Sequence, residues 1–433
     1  DGSSYTLTAD VSDAAGNAAA QVTSSSFTVD TTAPTVLYIT GAERNGTFKA
    51  GDVINISARL SEVITVTGTP QLTLNVGSTY DVDYSSGTTT EYLNFAYTVQ
   101  AGHTSADLDY ASTSALALNS GTITDAAGNA AVLTLASPGA TNSLSSAKNY
   151  VIDTTAPTIT GTTIASNNST ISVTLSEAVY DTNGGSGALE VGDFVLSISG
   201  GSATVAATPS SISSSGNVYT LGLTLSGTPN GSETLTVNPA SSSIYDAVGN
   251  AASTTQSNNT VTLNDQAAPS ISAIATSALS WGAVLNATED NSAGTVTVTT
   301  SGAEDGQTVT ITLNSATYTG SVSSNGATVT VSASGLQALT DGSSYTLTAD
   351  VSDAAGNAAA QVTSSSFTVD TTAPSISAIA TSALSWGAVL NATEDNSDGT
   401  VTVTTSGVED GQTVTITLNS ATYTGSVSSN GAT

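Results

Sequence analysis

Carboxylates recur at fixed places in a chain with almost no bases to pair with them. Asp30, Asp153 and Asp370 each begin the phrase Asp-Thr-Thr-Ala-Pro, and Asp265 sits in a looser copy, Asn-Asp-Gln-Ala-Ala-Pro. A second phrase, Asp-Ala-Ala-Gly-Asn, starts at Asp13, Asp125 and Asp353, with Asp-Ala-Val-Gly-Asn at Asp246. A third, Leu-Ser-Glu, places Glu62 and Glu177 just after an early apolar run. Side chains of this kind are oxygen donors for a hard cation. The second phrase is equally ordinary turn chemistry, because Asp and Asn bond to nearby backbone and Gly accepts positive φ. Recurrence beside a joint Asp and an early Glu in successive units favours the cation.

Composition points the same way. Lys plus Arg number 4 against 34 Asp plus Glu, a formal charge of −30. Nucleic acid and anionic membranes are therefore poor partners, and cations the natural ones. The bases are Arg44, Lys49, Arg59 and Lys148, so from Asn149 onward ordinary salt bridges cannot organise the chain. Cysteine is absent, which excludes disulfides and Cys-based zinc sites. There is no Met, no signal-like apolar segment and no run long enough to span a membrane, so the sequence reads as an internal fragment of something longer, with no direct membrane insertion.

The 433 residues suffice for about three to four domains, and internal repetition divides them. Asp1–Pro34 recurs identically as Asp341–Pro374, and the segment from Ser270 returns from Ser375 with only Ala293→Asp398 and Ala303→Val408 changed. One full repeat therefore runs from about Ser270 to Pro374. Stretches such as "TVTVTTSG" from Thr295, "TVTITLNSATYTGSV" from Thr308 and "SYTLTADVSD" from Ser344 alternate apolar residues with Thr or Ser, the period of a half-buried strand. Turn residues punctuate them at roughly ten-residue intervals, as in an antiparallel sandwich. The expected fold class is all-β, a series of antiparallel β-sandwich domains. The expected divisions are an incomplete C-terminal part of a repeat at 1–31, domains at 32–155, 156–266 and 267–372, and an incomplete N-terminal part at 373–433. The Pro of each joint fixes φ and offers no N–H, so it interrupts strand pairing and stiffens a short connection.

"VDTTAP" joints combined with "DAAGN" before the last strand resemble the bacterial immunoglobulin-like repeats of giant secreted RTX-type adhesins and related large repetitive surface proteins, whose extender repeats the Ser270–Pro374 unit most resembles. The resemblance covers essentially the whole chain. It implies tandem immunoglobulin-like antiparallel β-sandwich domains arranged end to end as a rod, stiffened by several Ca²⁺ ions at or near the joints, and a bacterial cell-surface or extracellular location.

In a seven-stranded sandwich, the chain enters at one end and leaves at the other, and this decides which carboxylates can meet. "DAAGN" falls in the F–G loop, at the end where the chain enters, and the Leu-Ser-Glu glutamates end the B strand there. One cluster would join Asp30, Glu62, Asp125 and Asn129. The next would join Asp153, Glu177, Asp246 and Asn250. A third would join Asp265 with Glu304, Asp305, Asp353 and Asn357. At the end where that domain's chain leaves, Glu289, Asp290 and Asp341 would lie near Asp370. Ca²⁺ suits such flexible oxygen sets better than Mg²⁺, which demands stricter octahedral geometry, or Zn²⁺, which prefers His and Cys.

Catalysis finds little support. The only histidine, His103, reads as a solvated loop residue, and a Ser nucleophile needs such a base within reach. The carboxylate pairs repeat from unit to unit, unlike a unique glycosidase site. Trp281 and Trp386 occupy one repeat position, which suits packing better than sugar stacking. The chain thus reads as a non-enzymatic extender projecting an adhesive module for attachment or biofilm formation, with neighbouring repeats of the same chain as its partners. The alternatives are a fibre or surface-layer component that self-associates, and a carbohydrate-binding module.

Overall fold

Alternating Thr/Ser and Val/Ile/Leu form short antiparallel strands throughout the computed structural model, which describes residues 2–433; Asp1, which heads the repeated segment, lies outside the described residues. The chain divides into two compact units, Asp1–Gly227 with Glu233–Leu263, and Thr228–Ser232 with Asn264–Thr433.

The first unit opens with two small hairpin-like pairs, Ser3–Tyr5 on Phe27–Val29 and Thr8–Ala9 on Val22–Thr23. An eight-stranded sheet follows, organised on the long strand Val53–Thr67. That strand pairs with Thr90–Thr98 and Val36–Gly41, then turns to Thr122–Thr124 for its last residues. Its alternation buries Ile54, Ile56, Ala58, Leu60 and Ile64, which join Phe95, Tyr97 and Tyr150 in one core. Each fully buried aliphatic side chain of this kind contributes about 1.5–3 kcal/mol. Further along, Ile159–Ile164, Thr170–Leu175, Val218–Gly222 and Ile212–Ser215 make a four-stranded sheet. The strands Phe194–Ser199, Thr234–Pro239 and Thr260–Thr262 make a three-stranded one, and both sheets contribute to a second core.

In the second unit, Ala316–Ser321, Thr308–Leu313, Leu347–Asp350 and Val362–Thr363 form one sheet. Gly294–Ser301 lies between Ser270–Ile271 and Gly326–Val331 in another. Val284–Asn286 runs parallel to Phe367–Asp370. Their inward residues form a third core, in which Trp281 meets Phe367 edge-on at 5.4 Å. Trp281 is buried there, as its repeat position suggested. A small fourth core gathers around Val403, Val414 and Val427. Helix is confined to single turns such as Leu144–Ala147 and Ala333–Gln337, each capped by a Ser hydroxyl at its N-terminus. No helix among the described residues is long and apolar enough to cross a membrane.

Candidate metal centres

The Asp-Ala-Ala-Gly-Asn loops share one geometry. Gly16, Gly128, Gly249 and Gly356 all take φ between +90° and +96°, the region open to glycine. The leading Asp folds back on its own loop: Asp125 accepts from the Asn129 backbone at 2.8 Å and from its side-chain amide at 2.7 Å. Asp246 accepts from the amides of Val248, Gly249 and Asn250, and from the Asn250 side chain at 2.7 Å. Asp353 does the same with Asn357, and Asp13 with Asn17. Asp125, Asp246 and Asp353 are buried.

The same Asn amides also reach the joint. Asn129 donates to the carbonyl of Asp30 at 3.2 Å, Asn250 to that of Asp153 at 3.0 Å and Asn357 to that of Asp265 at 3.3 Å. Each joint Asp then closes its own turn, accepting from Thr32, Thr155 or Ala267 two residues on. The joint phrase is thus clasped to the loop that recurs with it. Its threonines serve as well: Thr154 donates to the His103 carbonyl and accepts from Gly102.

A glutamate completes two of the three clusters. Ser61 exchanges bonds with Thr35, and Ser176 with Thr158, so the Leu-Ser-Glu phrase is stitched to the residue directly following the joint Pro. The next residue, Glu62 or Glu177, is thereby carried to the joint. Carboxylate oxygens of Asp30, Glu62 and Asp125 all lie within 4.8 Å of one another, and so do those of Asp153, Glu177 and Asp246. Two oxygens on opposite sides of one Ca²⁺, at about 2.4 Å each, are about 4.8 Å apart, so a single ion can touch all three.

Electrostatics records the strain of this convergence. Burial, then the charges of Asp125 and Asp30, push the Glu62 carboxyl above its ordinary value. Burial, then Asp246 and Asp153, do the same for Glu177, with the Ser176 hydroxyl opposing. Burial alone would raise Asp125 too, but donors from Asn129, Gly128 and Ala127 outweigh it and hold that carboxyl low. In each trio a glutamate therefore resists ionisation, and in the first the loop holds Asp125 as an anion beside it, a conflict that a divalent cation would relieve.

The third expected cluster is built differently. Glu304 lies three residues past Ser301, the partner of Ser270, rather than directly after the stitching serine. Its carboxylate accepts from the Ala354 amide at 2.8 Å. Asp305 accepts from Ser324 at 2.8 Å, in a separate hairpin loop. No third trio of converging carboxylates forms among the described residues. At the other end of that domain, Glu289 caps its own turn through the Asn286 amide, and Asp290 closes it through its backbone amide. Asp341 accepts from Thr371 and Thr372 of the next joint, which hold its carboxyl low. Asp370 lies opposite Asn286 in the parallel pair.

Two expectations need correction. The B strand does not end at Glu62: Val53–Thr67 runs through it, because pairing passes to Thr122–Thr124. His103 is not a solvated loop residue but half-buried, its Nδ1 2.7 Å from the Tyr97 hydroxyl and its ring edge-on to Tyr80. Burial pushes its pKa down. Two features escaped the sequence reading. The stitching serines were visible inside the glutamate phrase. Lys49, which donates to Asn183 at 2.8 Å and to the Gly249 carbonyl at 3.2 Å, carried no signal, since its partners lie 134 and 200 residues away.

No protein-family model and no curated protein match the chain. Among solved structures, it is similar to a Ca²⁺-stabilized adhesin that helps an Antarctic bacterium reach out and bind ice, at 22% identity over 92% of this chain and 90% of that one, with a TM-score of 0.27. It is also similar to a 1.5-MDa bacterial ice-binding adhesin described for host cell surface retention, at 20% identity over 78% of this chain and 99% of that one, with a TM-score of 0.28. A bacterial immunoglobulin-like domain from the M. primoryensis ice-binding adhesin is 33% identical over 24% of this chain and 95% of that one, with a TM-score of 0.18. The last identity runs along nearly the whole of a single domain, whereas all three superpositions score below 0.5.

Proposed function

The chain belongs to the bacterial immunoglobulin-like domains, on 33% identity along 95% of one of them, and from that premise we propose a non-enzymatic spacer whose joints bind Ca²⁺ and hold an adhesive module away from a bacterial surface. The observation that carries this reading is the pair of carboxylate trios, each assembled from a joint Asp, an early-strand Glu and a late-loop Asp. A site with one ligand on the joint and two on the following domain does more than bind an ion. It fixes the joint to the domain, because the ion is held fully only when the joint is ordered, and ligand binding to the ordered form alone favours that form by mass action. Asp30, Glu62 and Asp125 would hold one ion and Asp153, Glu177 and Asp246 another, with Asn129 and Asn250 as tethers. The domain divisions 32–155, 156–266 and 267–372 belong to this proposal.

Small-angle X-ray scattering tests it. With domains about ten strand residues long at roughly 3.3 Å each, the Ca²⁺-loaded chain should approach a maximum dimension of about 150 Å. Chelation should shorten or loosen it, and Ca²⁺ but not Mg²⁺ should restore it. A scattering profile indifferent to chelator would show that direct packing holds the joints and would remove calcium from the mechanism.

A further inference from the structure

We propose that Asn183 is a self-modification site: the backbone nitrogen of Gly184 converts its side-chain amide to a carboxylate, and the Lys49 ammonium promotes the step. The inference goes beyond the spacer reading and does not depend on calcium. An Asn followed by Gly can cyclise because no side chain on the second residue keeps its nitrogen from the Asn Cγ. The bond from the Gly184 nitrogen to Cγ forms, the Cγ–Nδ2 bond breaks, and ammonia leaves with the amide proton of Gly184. Water then opens the succinimide at either carbonyl and leaves aspartate or isoaspartate at position 183.

Five Asn-Gly pairs occur, at Asn45, Asn183, Asn230, Asn325 and Asn430, and the fold treats them differently. In three the nucleophile is tied up. Gly46 donates its N–H to the Asn149 carbonyl at 3.1 Å, Gly326 to that of Ser323 at 3.2 Å and Gly431 to that of Ser428 at 3.1 Å. The N–H groups of Gly184 and Gly231 have no acceptor among the described residues. The electrophile separates these two. The Asn230 side-chain oxygen accepts from the Ser232 amide and hydroxyl, whereas that of Asn183 accepts from the Lys49 ammonium at 2.8 Å. As the Gly184 nitrogen attacks, negative charge grows on that oxygen, and a charged donor already in place stabilises it more than neutral donors do. Lys49 is itself held by the Gly249 carbonyl at 3.2 Å. Glycine at 249 leaves room for this contact, since a Cβ there would collide with both the Asn183 oxygen and the Lys49 nitrogen. Asn183 and Gly184 are exposed, in a loop closed by the Thr182–Ser186 bridge, so water reaches the succinimide. The new carboxylate would face the same ammonium and turn an amide contact into an ion pair across 134 residues of chain.

Peptide mass mapping of the full chain, aged at mildly alkaline pH, tests the proposal by reading the replacement of nitrogen by oxygen at each Asn-Gly pair. The expected order is Asn183 first and Asn230 next, with Asn45, Asn325 and Asn430 slowest. In denaturant the order should vanish, because the dipeptide is the same in all five. Lys49→Met should slow conversion at Asn183 about tenfold or more and leave Asn230 unchanged, so that Asn230 reports any general loosening of the fold. Lys49→Arg, which keeps a charged donor, should recover part of the rate. Conversion at Asn183 no faster than at Asn230 in the folded chain would overturn the proposal, and so would an order that persists in denaturant. A Lys49→Met chain that reacts at Asn183 as fast as the parent, or faster, would remove Lys49 from the step. A peptide joining Lys49 to residue 183 would also overturn it, since Lys49 would then be the nucleophile.

Discussion

Two ways of placing a glutamate separate 32–266 from 267–372. In the first region the Glu follows directly on a serine stitched to the start of the domain, and it stands within ion-sharing distance of two aspartates. In the second, the Glu comes three residues beyond the strand partner of Ser270, and its carboxylate is spent on the Ala354 amide. The joint clasp, an Asn amide on an Asp carbonyl, is the same in all three. The shared clasp therefore occurs with or without a converging carboxylate trio, and the two regions differ by a shift of two positions in one glutamate.

The largest expected effect is calcium removal. At free Ca²⁺ near a hundred times Kd, each occupied site adds about 2.7 kcal/mol. For domains of about a hundred residues this is roughly 10 °C or more in melting temperature. Calorimetry of the full chain should show the transitions of 32–266 falling on chelation while that of 267–372 stays put. A uniform fall across all transitions would break the distinction between the two regions.

The next effect isolates the glutamates. Glu62→Gln and Glu177→Gln should each weaken calorimetric Ca²⁺ binding by about tenfold or more, since charge count tunes such sites, and should slightly stabilise the calcium-free chain by removing repulsion. Glu304→Gln should leave Ca²⁺ binding unchanged and cost at most about 1 kcal/mol, the worth of one exposed tie. Equal calcium loss in all three variants would mean that Glu304 swings into a site of its own.

A pH series should then give opposite slopes with and without calcium. Glu62 and Glu177 sit above their ordinary 4.5 in the folded chain. The stability they contribute is present below about 4.5 and lost as pH rises through their raised values, because the folded state binds the extra proton. Without calcium, stability should fall in that window. Bound Ca²⁺ requires the ionised form, so with calcium stability should fall as the pH drops instead. Asp125 and Asp341, held low, lose their contribution only below their ordinary 3.8 and do not overlap. Melting curves with chelator that are flat in pH, or that slope like those with calcium, would mean the trios do not repel.

The all-β class, the repeat and the membership of two trios were legible because each rests on local pattern: alternation of period two, Gly at positive φ in a five-residue phrase, and a serine-glutamate pair ending an apolar run. What was not legible was set by pairing partners distant in sequence. Val53–Thr67 continues past Glu62 because Thr122–Thr124 takes over its edge. His103 is half-buried because Tyr80, on the strand Thr79–Ser86, packs edge-on against it across 23 residues of sequence, with the nearer Tyr97 in contact as well. The Asp-Glu content of "AEDG" looked like another ligand pair, yet the backbone amides of Ala354 and Ser324, 50 and 19 residues away, claim both side chains. Composition locates donors well; it does not say which acceptors are already satisfied.

The smallest expected effect compares the two trios with each other. Only the second has a base at its loop: Lys49 donates to Asn183 and to the carbonyl of Gly249, three residues after Asp246. A positive charge at that loop would oppose an incoming cation, whereas the hydrogen bonds of Lys49 tether the loop. Lys49→Ala separates the two roles. Loss of the tether should lower the calcium-free melting transition by no more than about 1 kcal/mol, as for other exposed charged contacts. Loss of the charge should tighten Ca²⁺ at Asp153, Glu177 and Asp246 by about twofold at low ionic strength, an advantage that added salt should erase. The site at Asp30, Glu62 and Asp125 should not respond. Weaker calcium binding in Lys49→Ala would show instead that the tether, and not the charge, governs the second site, and that its ligands are aligned only while Lys49 holds the loop.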